Sequence, residues 1–107
     1  MKKIEAIVDP VKLDEIKEAL QKEKIPHVSV FEVQGVGSQQ GRIKHYRGAD
    51  YVEDSTEVKV EIVAEDDDAD RITQTIVTTL RAGDLCDGEI TVLPVEGFVR
   101  VRVGKCA

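Results

Sequence analysis

Two segments with helical periodicity, each flanked by segments with strand periodicity, constrain the fold of this chain more than any other feature. The first helical segment follows Asp9-Pro10, an N-cap residue with a proline suited to the first turn, and it should end before Pro26. The second ends before Gly83, a residue typical of helix C-caps. Their apolar stripes are Leu13, Ile16 and Leu20 in the first segment and Ala69, Ile72, Ile76 and Leu80 in the second.

The strand-like segments alternate apolar and polar residues or are rich in β-branched residues. They cover residues 3–8, 27–33, 58–63, 89–95 and 98–103. The order is therefore β-α-β-β-α-β followed by a short C-terminal strand, which predicts an α+β, ferredoxin-like fold with an antiparallel sheet. With 107 residues, we expect one domain over 1–107.

One long connection does not fit a minimal version of this fold. Residues 35–56 show no sustained apolar period over roughly 20 positions, whereas most connections in compact domains span about 4 to 6 residues. The stretch contains four glycines, and between Arg42 and Arg47 it places four cationic or titratable side chains in six positions. Loops of this length are usually functional or disordered.

Composition adds expectations about assembly and location. The chain has no Trp and only two Phe and two Tyr, so its core is thin and favours burial against another subunit. The net charge of −6 disfavours nucleic acid as a partner. No apolar run resembles a signal peptide or a membrane span, and Cys86 and Cys106 have no framework spacing, so we expect a cytoplasmic protein with reduced thiols.

Two features point to a phosphate ligand. Arg100 and Arg102 are two residues apart on a predicted strand, which places both guanidinium groups on one side about 7 Å apart. The turn from Gly83 to Gly88 could present backbone amides to an anion, although it lacks the lysine and hydroxyl residue that end a P-loop. Each feature alone also fits a solvated strand face or an ordinary helix-to-strand turn.

Catalytic and metal signatures are weak. Three serines, two histidines and two cysteines form no pattern that pairs a nucleophile with a base, so we expect no enzyme and no catalytic residue. Five carboxylates in residues 65–70 lie at a predicted helix start, where capping and the helix dipole explain them better than a metal does. His27 and His45 are expected at the surface. An acylphosphatase-like enzyme or a metal module using His45, Cys86 or Cys106 stays a weak alternative.

Taken together, these features resemble the PII signal-transduction family over nearly the whole chain. The specific similarities are the opening Met1–Ile7 with Pro10 and Leu13, the segment Gly35-Val36-Gly37 with Gln39 and Gly41, Tyr46–Tyr51, Val58–Val63, Asp87-Gly88 and Val99–Arg102. The resemblance implies a homotrimer of ferredoxin-like subunits with an adenine nucleotide in each cleft between neighbours. It also implies a T-loop at about 36–56, a B-loop at about 82–89 and a C-terminal segment at 97–107.

The resemblance assigns site residues by position. Those implied for nucleotide binding are Ile7, Ser29, Gly35, Val36, Gly37, Ser38, Gln39, Glu61, Val63, Asp87, Gly88, Glu89, Arg100 and Arg102. Gln39, Gln40 and Gly41 would bind the effector 2-oxoglutarate through Mg²⁺ bridged to ATP, and Tyr51 matches a tyrosine that some members have uridylylated. The T-loop would dock onto a transporter or a metabolic enzyme.

Departures from the family pattern favour a divergent member that prefers ADP or AMP. Glu89 stands where a basic residue is usual, and Glu57 or a gap falls where a lysine would bind 2-oxoglutarate. Exchanging a cation for an anion about 5 Å from a phosphate changes the interaction by several kcal/mol at an effective dielectric near 20. A PII-like protein of bicarbonate or carboxysome regulation, and a conventional ATP and 2-oxoglutarate nitrogen sensor, are the alternatives.

Overall fold

The computed structural model of the chain describes residues 1–25, 27–35, 42–46, 49–53, 55–83 and 88–101. Four strands of this part form one antiparallel sheet: β1 (Lys2–Val8), β2 (Ser29–Gly35), β5 (Ser55–Ala64) and β6 (Gly88–Pro94). Their spatial order is β2-β5-β1-β6, so β1 pairs with β5 on one side and β6 on the other. This order confirms the predicted ferredoxin-like fold.

Two helices, α1 (Leu13–Lys22) and α2 (Asp66–Arg81), supply the buried stripes that their periodicity predicts. They pack against one face of the sheet, and this layer contains the buried apolar residues Ile4, Ala6, Val8, Ile16, Leu20, Val58, Val60, Ile62, Ala69, Ile72, Ile76 and Leu80. Asp9 caps the 3₁₀ turn Pro10–Lys12 ahead of α1 by accepting a hydrogen bond from the Val11 amide at 3.0 Å. Arg71 of α2 forms an ion pair with Glu23, the residue that follows α1, and so connects the two helices.

The long connection contains structure of its own. Strands β3 (Arg42–Tyr46) and β4 (Ala49–Glu53) form a separate two-stranded antiparallel sheet, with Ile43 opposite Val52. Strand β5 begins at Ser55, three residues before the predicted start at Val58, because β2 continues to Gly35 and pairs with it to that point.

The predicted C-terminal strand is not formed in residues 98–101, which have no regular structure. A strand needs a neighbouring backbone to pair with, and in the described part of the single chain no other strand runs beside this segment. Val99 and Val101 are consequently 86% and 81% exposed. The last two positions of that prediction, 102 and 103, lie outside the described residues.

One residue adopts a backbone conformation that its side chain disfavours. Lys24 has a φ of 59° directly after α1. Its amide donates to the Gln21 carbonyl at 3.0 Å and the Ile25 amide donates to the Leu20 carbonyl at 3.2 Å, which is the Schellman pattern of helix termination. Glycine is the usual residue at this position, since a side chain in the left-handed region costs about 1–2 kcal/mol.

Replacing Lys24 by glycine should therefore raise the free energy of unfolding by about 0.5–1 kcal/mol. Glycine relieves the backbone strain, but it also raises the conformational entropy of the unfolded chain, which offsets part of the gain. Lys22→Gly, the same substitution two residues earlier inside α1, should lower it by up to about 1 kcal/mol. Urea unfolding of both variants at equal protein concentration measures the difference. Two changes of the same sign would contradict this explanation.

Candidate functional site

A cavity of about 600 Å³ lies where residues 98–101 approach β2 and β5. Its lining consists of His27, Ser29, Glu61, Val63, Phe98, Val99, Arg100 and Val101. Four of these were predicted from the sequence as nucleotide-binding residues: Ser29, Glu61, Val63 and Arg100. The volume is within the range of about 300–1,000 Å³ that is usual for small-molecule sites.

The sheet register explains why three of these residues meet. Ser29 of β2 lies directly opposite Glu61 of β5. Val63 follows Glu61 by two positions, and alternate residues of a strand share a face, so all three lie on the face opposite the helices. Arg100 comes from a different part of the chain and reaches the same cavity, with its guanidinium 5.4 Å from the centre of the Phe98 ring.

Other predicted residues lie farther along the same sheet, in the direction of the long connection. Gly35 is the last residue of β2, so about 20 Å of extended chain separates it from Ser29. Ile7 of β1 pairs with Glu89 of β6 two ladder positions beyond the Ser29–Glu61 pair in that direction, and Gly88 pairs with Val8 three positions beyond it. Ile7, Gly88 and Glu89 are not among the residues that line the cavity described above. The predicted residues thus divide into a cavity end, defined by Ser29, Glu61, Val63 and Arg100, and a loop end, defined by Ile7, Gly35, Gly88 and Glu89.

Gly88 also has a packing reason to be glycine. A Cβ built at this position would lie 2.8 Å from Leu80 Cδ1 and 3.4 Å from the Ile7 carbonyl oxygen. The close approach lets β6 pair with the end of β1 over the buried terminus of α2. A ligand-binding role for Gly88 would be additional to this one.

The remaining predicted residues lie either in β4 or outside the described part of the chain. The structure places Tyr51 in β4, with its backbone opposite Lys44. Outside the described residues lie Val36, Gly37, Ser38, Gln39, Gln40, Gly41, Asp87 and Arg102, together with both cysteines. The predicted spacing of Arg100 and Arg102 and the proposed effector residues are therefore untested.

Ion pairs organise the charged residues beside the cavity. Glu61 Oε1 lies 3.0 Å from Lys59 Nζ and 3.3 Å from Lys3 Nζ, and Lys3 in turn lies 3.1 Å from Glu5. The hydrogen bond from Lys59, assisted by that from Lys3, lowers the pKa of the Glu61 carboxyl against the effect of its burial. Glu61 therefore remains an anion and a hydrogen-bond acceptor at the cavity wall at neutral pH.

Sequence reasoning overlooked His27, which it placed only at the surface. The residue is exposed in the described chain, but its ring also lines the cavity, and Nε2 lies 3.1 Å from Ser29 Oγ in a hydrogen bond. The signal was available, because residues two apart in an extended segment share a side.

The described residues contain neither a metal-binding cluster nor a membrane-spanning helix. No cluster of three or more His, Cys, Asp or Glu side chains there could hold a metal ion. Among the helices in that part of the chain, none has the length and apolarity to cross a bilayer. The carboxylates of residues 65–70 lie at the start of α2 as predicted, where Asp66 pairs with the Met1 amino group at 3.0 Å.

Because the pKa of Glu61 is lowered on folding, its ion pairs should stabilise the protein above the unfolded value near 4.3 and lose this effect as the pH falls through the folded value. Glu61→Gln should lower the free energy of unfolding by about 1–2 kcal/mol at pH 7, since hydrogen bonds to charged groups contribute on this scale. The difference from the unaltered protein should shrink below about pH 4.

Urea unfolding between pH 3 and 7 measures this difference. Glu18→Gln on the exposed face of α1 is the matched control, with a change within about 0.5 kcal/mol at every pH. A cost of Glu61→Gln that did not vary with pH would mean that packing rather than charge is responsible.

Comparison with known proteins is consistent with this fold. A family model described as Nitrogen regulatory protein P-II matches residues 1–105. Proteins named "Nitrogen regulatory protein P-II" from Azospirillum brasilense and Microchaete diplosiphon are 47% and 46% identical over 106 residues. The "Nitrogen regulatory protein P-II 1" of Escherichia coli (strain K12) is 44% identical. Each alignment covers 98% of this chain and 95% of the relative. The chain belongs to the nitrogen regulatory protein P-II family.

Proposed function

We propose that this protein is a homotrimeric signalling protein that binds adenine nucleotides in clefts between its subunits and regulates a target through residues 36–56. The separation of the predicted site residues into a group that lines the cavity and a group that lies farther along the sheet, outside the cavity, carries this proposal. A cyclic assembly brings the cavity end of one subunit against the loop end of the next and so completes a site that neither subunit contains alone.

The chemistry of the cavity end suits a nucleotide. Arg100 offers a permanently charged, bidentate partner for phosphate oxygens. Glu61 accepts hydrogen bonds from the hydroxyl groups of a ribose, and Val63, Val99 and Val101 provide apolar surface for a flat base. Phosphates would lie away from the Glu61 carboxylate and toward Arg100, because like charges repel.

Exposed apolar side chains support the subunit contacts. Phe98, Val99 and Val101 are 42%, 86% and 81% exposed, and Phe31 on the site-bearing face of the sheet is 45% exposed. Apolar surface that surrounds a site in this way marks an interface. A neighbouring subunit would also provide a backbone to which residues 98–101 could pair.

Glu89 lies at the loop end that would close over the phosphates. Because its carboxylate replaces a cation, we propose that ADP or AMP binds more tightly than ATP and that 2-oxoglutarate adds little. The relatives' names point to nitrogen regulation. Regulation by inorganic carbon is the second candidate, supported by the same departure at Glu89, and the relatives give no support to an acylphosphatase-like reaction.

Isothermal titration of the purified protein with ATP, ADP and AMP tests the ligand assignment. Arg100→Ala should weaken ADP binding by about 10- to 100-fold, which corresponds to the loss of charge-assisted hydrogen bonds to phosphate. Arg81→Ala at the exposed end of α2 removes the same charge away from the cavity and should change the affinity little. Unchanged affinity in Arg100→Ala would exclude this residue as the phosphate partner.

Titrations with added effectors distinguish a response to 2-oxoglutarate from a response to bicarbonate. The titrations are repeated with Mg²⁺ plus 2-oxoglutarate and, separately, with bicarbonate. Mg²⁺ plus 2-oxoglutarate should leave the affinity for ADP nearly unchanged. Tight synergy between ATP and 2-oxoglutarate would instead identify a conventional nitrogen sensor. An increase with bicarbonate would favour the inorganic-carbon role, and no binding of any nucleotide would overturn the proposal.

Sedimentation equilibrium tests the assembly. The particle mass should be three times the chain mass of 11.8 kDa. Introducing charge at the proposed contact, Val99→Glu, should lower the mass toward that of one chain, whereas Val11→Glu, on a valine that is 68% exposed away from the cavity, should not. A monomer at all concentrations would contradict the completion of the site by a neighbour.

A further inference from the structure

Phe98 and Arg100 form a cation–π pair at the boundary between two cavities. Cζ of Arg100 lies 5.4 Å from the centre of the Phe98 ring, within the distance of about 6 Å at which a ring attracts a cation. Both residues line the cavity described above and also a second cavity of about 460 Å³. Within the described residues, the Arg100 guanidinium forms neither an ion pair nor a hydrogen bond, so the ring is its one specific contact there.

The second cavity offers the guanidinium a different kind of partner. Its lining includes the side chains of Glu65 and Asp68 near the start of α2. Asp68 already pairs with Arg71 at 3.3 Å, whereas Glu65 is exposed and forms no ion pair in the part of the chain that the structure describes. An ion pair with Glu65 would offset the charge of Arg100 and occupy N–H groups that a phosphate needs.

An aromatic ring holds a cation in a way that remains compatible with phosphate binding. The ring attracts positive charge through its quadrupole and does not neutralise it. It is not a conventional hydrogen-bond acceptor, so the N–H donors of the guanidinium can still bind phosphate oxygens in pairs. Residues 98–101 have no regular structure, and a contact already formed in the free chain reduces the conformational entropy that Arg100 loses on binding.

We propose that Phe98 is a positioning residue for phosphate binding, whose ring restrains the Arg100 guanidinium beside the nucleotide cavity and leaves its charge and its donors available. This inference rests on the proposed function. Because Phe98 acts through Arg100, it should contribute to the affinity for the phosphates of a nucleotide and not to the affinity for its base and ribose.

Titration calorimetry with ADP and with adenosine, which lacks phosphates, tests this role. Phe98→Leu retains an apolar side chain without a ring and should weaken ADP binding by about 2- to 5-fold, the scale of one exposed cation–π contact. Its affinity for adenosine should equal that of the unaltered protein. Phe98→Tyr, the matched control, retains the ring and should bind ADP as the unaltered protein does.

A double-mutant cycle with Arg100→Ala separates positioning from a general structural effect. If the ring acts through Arg100, Phe98→Leu should cause no further loss of ADP affinity in the Arg100→Ala background. A loss caused by weakened subunit contacts, or by a direct contact between the ring and the base, would instead persist in that background and extend to adenosine. Circular dichroism of all variants confirms that they are folded before titration.

The outcomes distinguish this inference from the proposed function. If no nucleotide binds to the unaltered protein, the proposed function itself is wrong. If ADP binds and Arg100→Ala has no effect, the phosphate partner is a different residue, and the positioning role of Phe98 fails with it. If Arg100→Ala weakens ADP binding while Phe98→Leu does not, or if the loss in Phe98→Leu persists without Arg100, the positioning role is wrong while nucleotide binding stands.

Discussion

The alternation of β5 is the constraint on which both the core and the site depend. Val58, Val60 and Ile62 point into the helical layer, while the intervening residues Lys59 and Glu61 point to the other face of the sheet. A shift of one residue in the pairing with β1 would bury the charges and expose the core, so the hydrophobic pattern holds the register. The register that buries the core residues therefore also places Glu61 opposite Ser29.

Much of this arrangement can be predicted from the sequence, because the spacing of apolar residues within one segment indicates both its secondary structure and its buried face. The stripe from Ala69 to Leu80 predicts α2, and the alternation over 58–63 predicts the central strand. Lys24 could not have been recognised as a left-handed residue, since glycine or asparagine normally marks that position and the Schellman hydrogen bonds are formed by backbone alone. The extended C-terminal segment was expected to be a strand, but strand formation depends on a pairing partner, which periodicity does not reveal.

The candidate site was harder to predict because it joins residues distant in sequence. Ser29, Glu61 and Val63 were predicted through similarity to a family, and Arg100 also through its spacing from Arg102. The ladder and the path of residues 98–101 explain how they meet. The role of Gly88 as a packing residue came only from three-dimensional contacts, whereas the two-residue spacing of His27 and Ser29 was already visible in the sequence. Glu89 and Glu57 lie outside the buried core, so charge changes there leave the fold intact. Under the proposed function, nucleotide preference could therefore diverge while the fold stays constant.

The separate β3–β4 sheet has a consequence for the evolution of partner recognition. Its two ends leave the main sheet at Gly35 and Ser55, which are paired neighbours in the ladder. The span between these anchors is thus already closed, and doubling the length of a closed loop costs only about 0.6 kcal/mol. Insertions, deletions and exchange of this hairpin should therefore be nearly neutral for folding. Under the proposed function, the same nucleotide-binding domain could acquire new targets through changes in this one segment.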